Sequence, residues 1–173
     1  MKILKIAGSI ILGLIALVLI TALFVEKKFA VKREVTINKP NQEVFDYIKY
    51  LKNQDNFSIW AKADPAMKKE YKGTDATVGF MSAWESEKVG QGNQTITAIK
   101  EGERIDYDLH FIKPFKADNH AYMSTVAVDS THTNVTWGFE GEMKYPFNIF
   151  RLFHDIGDDL QTGLENLKAV LEK

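Results

Sequence analysis

Residues 6–25 read IAGSIILGLIALVLITALFV, twenty positions with no charge, no Pro and no amide side chain. At about 1.5 Å per residue, a helix of that length reaches roughly 30 Å, the thickness of a bilayer's hydrocarbon core. Thirteen of the twenty are Ile, Leu, Val or Phe. On an insertion scale they favour the bilayer by roughly 4 to 8 kcal/mol, which Gly8, Ser9, Gly13 and Thr21 offset only in part. A helix apolar on every side is poorly accommodated in a soluble domain of this size. The stretch also exceeds the core of a typical secretory signal, and no small-x-small cleavage site follows it. It predicts an uncleaved membrane anchor at residues 1–28, core 6–25, ahead of one domain at 29–173. Lys2 and Lys5 flank one end and Lys27, Lys28, Lys32 and Arg33 the other, so flanking charge assigns the domain to neither side. Only a few residues separate the apolar run from the first strand signal, which keeps the domain close to lipid.

Without its first 25 residues the chain has 148 residues, enough for one core or an internal cavity. Losing Lys2 and Lys5 leaves 20 basic against 23 acidic side chains, a formal net of −3. A nucleic-acid-binding surface needs a basic excess, so no nucleic-acid partner is expected. The absence of Cys excludes disulfides, thiolate metal sites and thiol nucleophiles.

Residues 29–37 alternate as a strand, and the break at 38–41 leads into a short helix with Asn41 as its expected N-cap. Val44, Phe45, Ile48 and Leu51 form the buried stripe of that helix, and 53–60 reads as a second short helix or turn. A turn-rich region at 61–79 holds one short strand at 67–71. Strand signals then run from Val78, where Val78, Phe80 and Trp84 share a parity, through 94–100. Residues 104–111 alternate most cleanly: Ile105, Tyr107, Leu109 and Phe111 on one face, Arg104, Asp106, Asp108 and His110 on the other. Strands at 121–129 and 134–142 follow. From Pro146 the chain is expected to be helical to its end, with an apolar stripe of Phe153, Ile156, Leu160, Leu164, Leu167 and Leu171. The fold class is α+β: an antiparallel sheet of about six to seven strands around one long C-terminal helix. A space between them is where a ligand would go.

The order and spacing of several short motifs resemble the SRPBCC superfamily, the START-like or polyketide cyclase/dehydrase-like helix-grip proteins. The carriers are Trp60-Ala-Lys62, Asp64-Pro65, Met67, Tyr71, Gly73, Gly79, Trp84 and the Gly90-x-Gly92 pair. Further on come Gly102, Arg104-Ile105, the run from Phe111 to Phe115, Thr136-Trp137-Gly138-Phe139, Gly141 and Gly163-Leu-x-Asn166-Leu167. The likeness covers residues 29–173 and extends to a bacterial group with one N-terminal membrane helix. It implies a hydrophobic or lipid-like small molecule as partner, bound between sheet and C-terminal helix; some members are enzymes.

The chain carries no strong catalytic constellation. His110, His120, His132 and His154 lack metal spacing and read as surface residues. Asp106 and Asp108 share the wet face of a strand, where a pair of carboxylates either solvates the sheet or splits into acid and base. Asp155, Asp158 and Asp159 suit the start of a helix, and the Gly90-Gln91-Gly92 turn lacks the Lys-Ser/Thr of a phosphate loop. No catalytic residue, metal or cofactor is assigned. The candidate cavity lining is aromatic: Trp60, Phe80, Trp84, Tyr107, Phe111, Met123, Trp137 and Phe139, with Tyr107 and Trp84 each able to offer a donor. The same residues would also make an ordinary core. Three functions remain open at this point: a non-catalytic binding domain, a cyclase, dehydratase or hydrolase working by acid/base groups in that cavity, and a protein-interaction module marked by an exposed apolar patch near residues 60–79.

Overall fold

A computed structural model describes residues 2–153 and 155–173 of the chain. The apolar stretch is α1 (Lys2–Phe24). It is followed by β1 (Lys28–Ile37), α2 (Asn41–Ile48), a 3-10 turn at Leu51–Asn56 and α3 (Ile59–Ala63). Then come β2 (Lys68–Lys72), β3 (Met81–Ser86), β4 (Gly90–Lys100), β5 (Arg104–Lys113), β6 (Ala117–Ala127) and β7 (Thr133–Glu142). A second 3-10 turn, Phe147–Leu152, precedes α4 (Ile156–Leu171).

Two compact units are present: residues 1–29 with 142–155, and residues 30–141 with 156–173. The second unit is built on one seven-stranded sheet in the order β1-β7-β6-β5-β4-β3-β2. The steps from β2 to β7 are consecutive antiparallel pairs. They suit the short turns in the sequence, such as the one Gly102 makes at φ +73. β1 returns to the opposite edge beside β7, and α2 and α3 occupy the connection that this crossing requires.

Alternation decides the faces. On β5, Ile105 and Tyr107 are fully buried, whereas Asp108 and His110 are exposed. On the buried face, Leu160, Leu164 and Leu167 of α4 join Met123, Trp137, Tyr107, Ile96 and Phe80 in one core, together with Val44, Phe45, Ile48 and Leu51. A Cβ at Gly163 would lie 2.7 Å from the Trp137 ring, so the absence of a side chain there seats α4 on the indole. The far end of α4 is tied to β1: Lys168 Nζ donates to the Thr36 carbonyl, and the Asn38 N–H donates to Glu172.

Four local expectations are corrected. Asn41 is inside α2 rather than its cap. Pro40 holds the cap position, and the Asn41 amide donates instead to the Gly102 carbonyl, 61 residues away. Val78 is not in a strand: the positive φ of Gly79 turns the chain, β3 begins at Met81, and Val78 is 61% exposed. The strand expected from residue 121 starts at Ala117, because pairing with β5 extends down to Phe111↔Ala117. The helix expected from Pro146 is broken into the Phe147–Leu152 turn and α4, and Phe153 is 79% exposed rather than part of the buried stripe. His154 lies outside the described residues.

In the first unit, the Asn148 amide donates to the carbonyls of Ala22 and Val25, at 2.7 Å each. Arg151 donates to those of Glu26 and Lys28, and the Met143 N–H to that of Lys27. The last carbonyls of a helix have no partner within it. The 142–153 segment supplies partners at and just beyond the end of α1.

Gly163→Ala separates two opposed effects. Intrinsic helix propensity alone would stabilise by about 1 kcal/mol, while forcing a methyl against a packed indole costs about 1–3 kcal/mol. The expected outcome is net destabilisation, measured by denaturant unfolding followed through Trp fluorescence. A gain in stability would contradict the close seating of α4 on Trp137.

Candidate functional site

The strand pairings sort the inner face into rows. Trp137, Met123, Ile105 and Ile99 cross the sheet as one row, and Phe139, Ala121, Tyr107 and Ile96 as the next. Beyond them come Asn119, Leu109, Gln94, Ser82 and Tyr71, then Ala117, Phe111, Gly92, Trp84 and Lys69. Burial falls along this sequence. On β5, Ile105 and Tyr107 are sealed, while Leu109 and Phe111 on the same face are half-buried. The inner face therefore has a closed end at the Trp137 and Tyr107 rows and a more open end at the Phe111 row.

The eight aromatic and Met candidates divide along that gradient. Phe80, Tyr107, Met123 and Trp137 are buried in the core. Trp60, Trp84, Phe111 and Phe139 are half-buried. Trp60 meets Trp137 edge-on at 5.9 Å between centroids, and Phe57 meets the same indole at 5.6 Å. Trp84 meets Phe111 edge-on at 5.7 Å. Gly92 makes room for that pair, since a Cβ there would lie 2.6 Å from the Trp84 ring. Edge-to-face pairs of this kind contribute about 0.5–1.5 kcal/mol beyond the area they bury.

Polar side chains on this face gather in the row of Asn119, Gln94, Ser82 and Tyr71. Trp84 Nε1, Tyr107 Oη and Gln54 Nε2 are buried and lack a hydrogen-bond partner of good geometry. Burial pushes the Tyr107 hydroxyl far above the usual phenol range, with Gln54 beside it offsetting part of that shift. At the β2 edge, Asp55 accepts from Tyr71 Oη at 2.8 Å and pairs with Lys69 Nζ at 2.6 Å. Burial and the Asp55 carboxylate together push the Tyr71 hydroxyl up to about 12. Lys52 Nζ lies 4.8 Å from the Tyr71 ring centroid.

Sequence reasoning did not assemble Asp55, Lys69 and Tyr71. Lys69 and Tyr71 share a parity in β2, which was readable. The arrival of Asp55 from the 3-10 turn is a tertiary event with no local signal.

The charged constellation noted in the sequence lies on the opposite face. Arg104 Nε and Nη2 bind Asp106 at 2.7–3.1 Å, and the guanidinium stacks 3.8 Å from the Tyr122 ring centroid. His120 bridges Asp106 and Asp108 at 3.1 and 3.3 Å. Burial raises the Asp106 pKa, but the hydrogen bonds from Arg104 and His120 outweigh it and hold the carboxyl below its ordinary value. His110 pairs with Asp118, and His132 with Asp129. Among the described residues no group of three or more His, Cys, Asp and Glu could hold a metal ion.

Sheet, closing helix and graded inner wall define an α+β protein of the helix-grip kind. The polyketide cyclase / dehydrase and lipid transport family matches residues 28–172, and the chain belongs to it. Solved structures agree on the fold. A Thermobifida fusca protein aligns with TM-score 0.58 at 20% identity, covering 82% of this chain and 92% of its own. A Mesorhizobium loti protein aligns with TM-score 0.62 at 12% identity, covering 83% and 97%. Norcoclaurine synthase from Thalictrum flavum, solved in complex with dopamine and hydroxybenzaldehyde, aligns with TM-score 0.65 at 9% identity, covering 88% and 90%. No curated protein matches the sequence. At these identities the structural likeness concerns the fold, and the site must be argued from this chain's own residues.

Asp106 gives a pH test of the outer-face network. Its folded pKa is depressed, so its contribution to stability is complete above the ordinary value of 3.8 and is lost as pH falls below it. D106N is expected to be less stable than wild type at neutral pH and to lose less stability on acidification. Denaturant titrations at a series of acidic pH values measure this; parallel pH profiles would exclude Asp106 as a contributor.

Proposed function

We propose that residues 29–173 form a binding domain for an apolar or amphipathic small molecule, and that residues 1–28 hold it at a membrane. The observation that carries the binding reading is the half-buried end of the inner face. There Trp84, Phe111 and Leu109 offer apolar surface beside Asn119, Gln94 and Ser82, and half-buried Phe139 and Trp60 border the sealed core floor of Tyr107, Met123, Phe80 and Trp137. Pockets of this composition, mostly apolar with a few placed polar groups, suit a small hydrophobic guest. Trp84 Nε1, buried and without a partner, is a donor that a ligand oxygen would satisfy. Family membership supports the reading, and so does the complex of the similar norcoclaurine synthase with two aromatic compounds.

The membrane reading is supported by α1 itself. Lys5–Phe24 is long and apolar enough to cross a bilayer and is exposed over nearly all of its length. An apolar helix left uncovered by protein finds its cover in lipid.

A second reading, acid/base chemistry on the bound molecule, is favoured by one arrangement: the Lys69–Asp55–Tyr71 group stands on the inner face one strand pairing from Trp84. An interaction module centred on residues 60–79 has less support. Of the large apolar residues there, only Val78 is exposed.

Native mass spectrometry of the full chain in phosphatidylcholine nanodiscs, after incubation with a total lipid extract, tests the binding reading. An organic adduct is expected on the wild type. Trp84→Ala removes an edge contact and the donor, and should weaken retention about tenfold, equivalent to about 1.4 kcal/mol. A folded wild-type chain that takes up nothing would reject the proposal.

A further inference from the structure

The segment after β7 reads YPFNIFRLF at residues 145–153. It exposes what a soluble surface ordinarily avoids. Phe150 is 55% exposed, Leu152 57% and Phe153 79%, and Tyr145 is exposed as well. Phe147 and Phe150 stack with ring centroids 6.4 Å apart. Neighbouring Leu23 and Phe24, at the end of α1, are exposed too. Apolar groups clustered this densely mark a surface that is covered in use.

The cover is decided by what the segment is fastened to. Asn148, fully buried, donates to the carbonyls of Ala22 and Val25, and Arg151 to those of Glu26 and Lys28. These bonds fix the depth of residues 145–153 to the depth at which α1 ends. A membrane-spanning helix of 23 residues ends, at about 1.5 Å per residue, where hydrocarbon gives way to headgroups. Aromatic side chains are favoured in that zone, with an apolar body on one side and water on the other. Charges around the segment are mixed, with Lys27, Lys28, Lys144 and Arg151 against Glu26, Glu142 and Asp155. Attraction to the bilayer therefore rests on the aromatic and Leu side chains rather than on anionic lipid.

We propose that residues 145–153 form an interfacial collar at the end of α1, with Phe150, Leu152 and Phe153 inserted at the headgroup–acyl boundary of a phospholipid bilayer. The inference rests on the reading of α1 as a membrane span. It adds a second membrane contact whose first aromatic residue, Tyr145, lies 120 residues along the chain from Val25.

The chain has no Cys, so single-cysteine variants label cleanly. Full-length F153C, L14C and E70C, each nitroxide-labelled, are reconstituted in phosphatidylcholine vesicles. Accessibility to oxygen, which concentrates in lipid, and to a water-soluble nickel complex is measured by electron paramagnetic resonance. E70C, on the exposed edge of β2, sets the aqueous reference. The expected result is L14C at bilayer depth and F153C several-fold richer in oxygen relative to nickel than E70C. L14C in lipid with F153C matching E70C would overturn the collar and leave the anchor standing. F153C shielded from both reagents would mean that protein covers the segment, and would overturn the collar equally. L14C accessible to nickel would remove the anchor and the collar with it. All three substitutions sit on exposed side chains, so folding is not at stake in the comparison.

Discussion

The packing of α4 on Trp137 sets the terms for the rest of the domain. Trp137 receives the backbone of Gly163 from the helix, the edges of Phe57 and Trp60, and its sheet neighbour Met123. An indole enclosed in this way is a fixed point: interiors are close-packed, and displacing one large ring requires its neighbours to move. Leu160, Leu164 and Leu167 follow from that seating, because side chains at three- and four-residue spacing must land on the same inner face.

The two faces of the sheet divide the chemistry. The outer face gathers its ionisable groups into pairs and networks, of which Arg104–Asp106–His120–Asp108 is the most connected. Arg104 also stacks on Tyr122, whose ring in turn lies over Gly138, where a Cβ would have only 2.1 Å. Half-exposed ion pairs of this type contribute little individually, but several sharing one aromatic platform hold their geometry. The inner face sets apolar rows around one polar row, Asn119, Gln94, Ser82 and Tyr71, with the Lys69–Asp55–Tyr71 group at its edge.

Periodicity made the faces legible but not the depth along them. Tyr107 and Phe111 share a parity and a strand, and nothing in their spacing says that one is sealed and the other half-buried. That difference depends on where the 3-10 turn at Leu51–Asn56 and α4 lie, which is tertiary information. The apolar steps from Ile156 to Leu171 identified α4 well, because each is set by local helical geometry. Phe153 looked like the first member of the same stripe, since three residues separate it from Ile156. The helix breaks between them, the 3-10 turn ending at Leu152 and α4 starting at Ile156, and residue spacing does not register such a break. Asn41 shows the same limit: a good capping residue by type, it is drawn to the Gly102 carbonyl by a contact across the fold.

The end of α1 poses a problem of hydrogen bonding before it poses one of location. Carbonyls in the last turn of a helix need donors, and in a low-dielectric surrounding an unsatisfied one costs several kcal/mol. Water meets this need for a soluble helix. A helix ending among lipid has less water to draw on, and a protein donor is worth correspondingly more. Asn148 brings one amide nitrogen to the Ala22 carbonyl in that turn and to Val25 just past it, and Arg151 brings one guanidinium nitrogen to Glu26 and Lys28 further on. Arg suits this place because its charge is permanent and weakly hydrated, so it tolerates partial removal from water better than an ammonium group. The same nine residues thus carry the buried Asn148 and the half-buried Arg151 toward the helix end and the exposed rings of Phe150 and Phe153 outward. Exposed rings are costly in water, and the membrane placement proposed for α1 would give them cover.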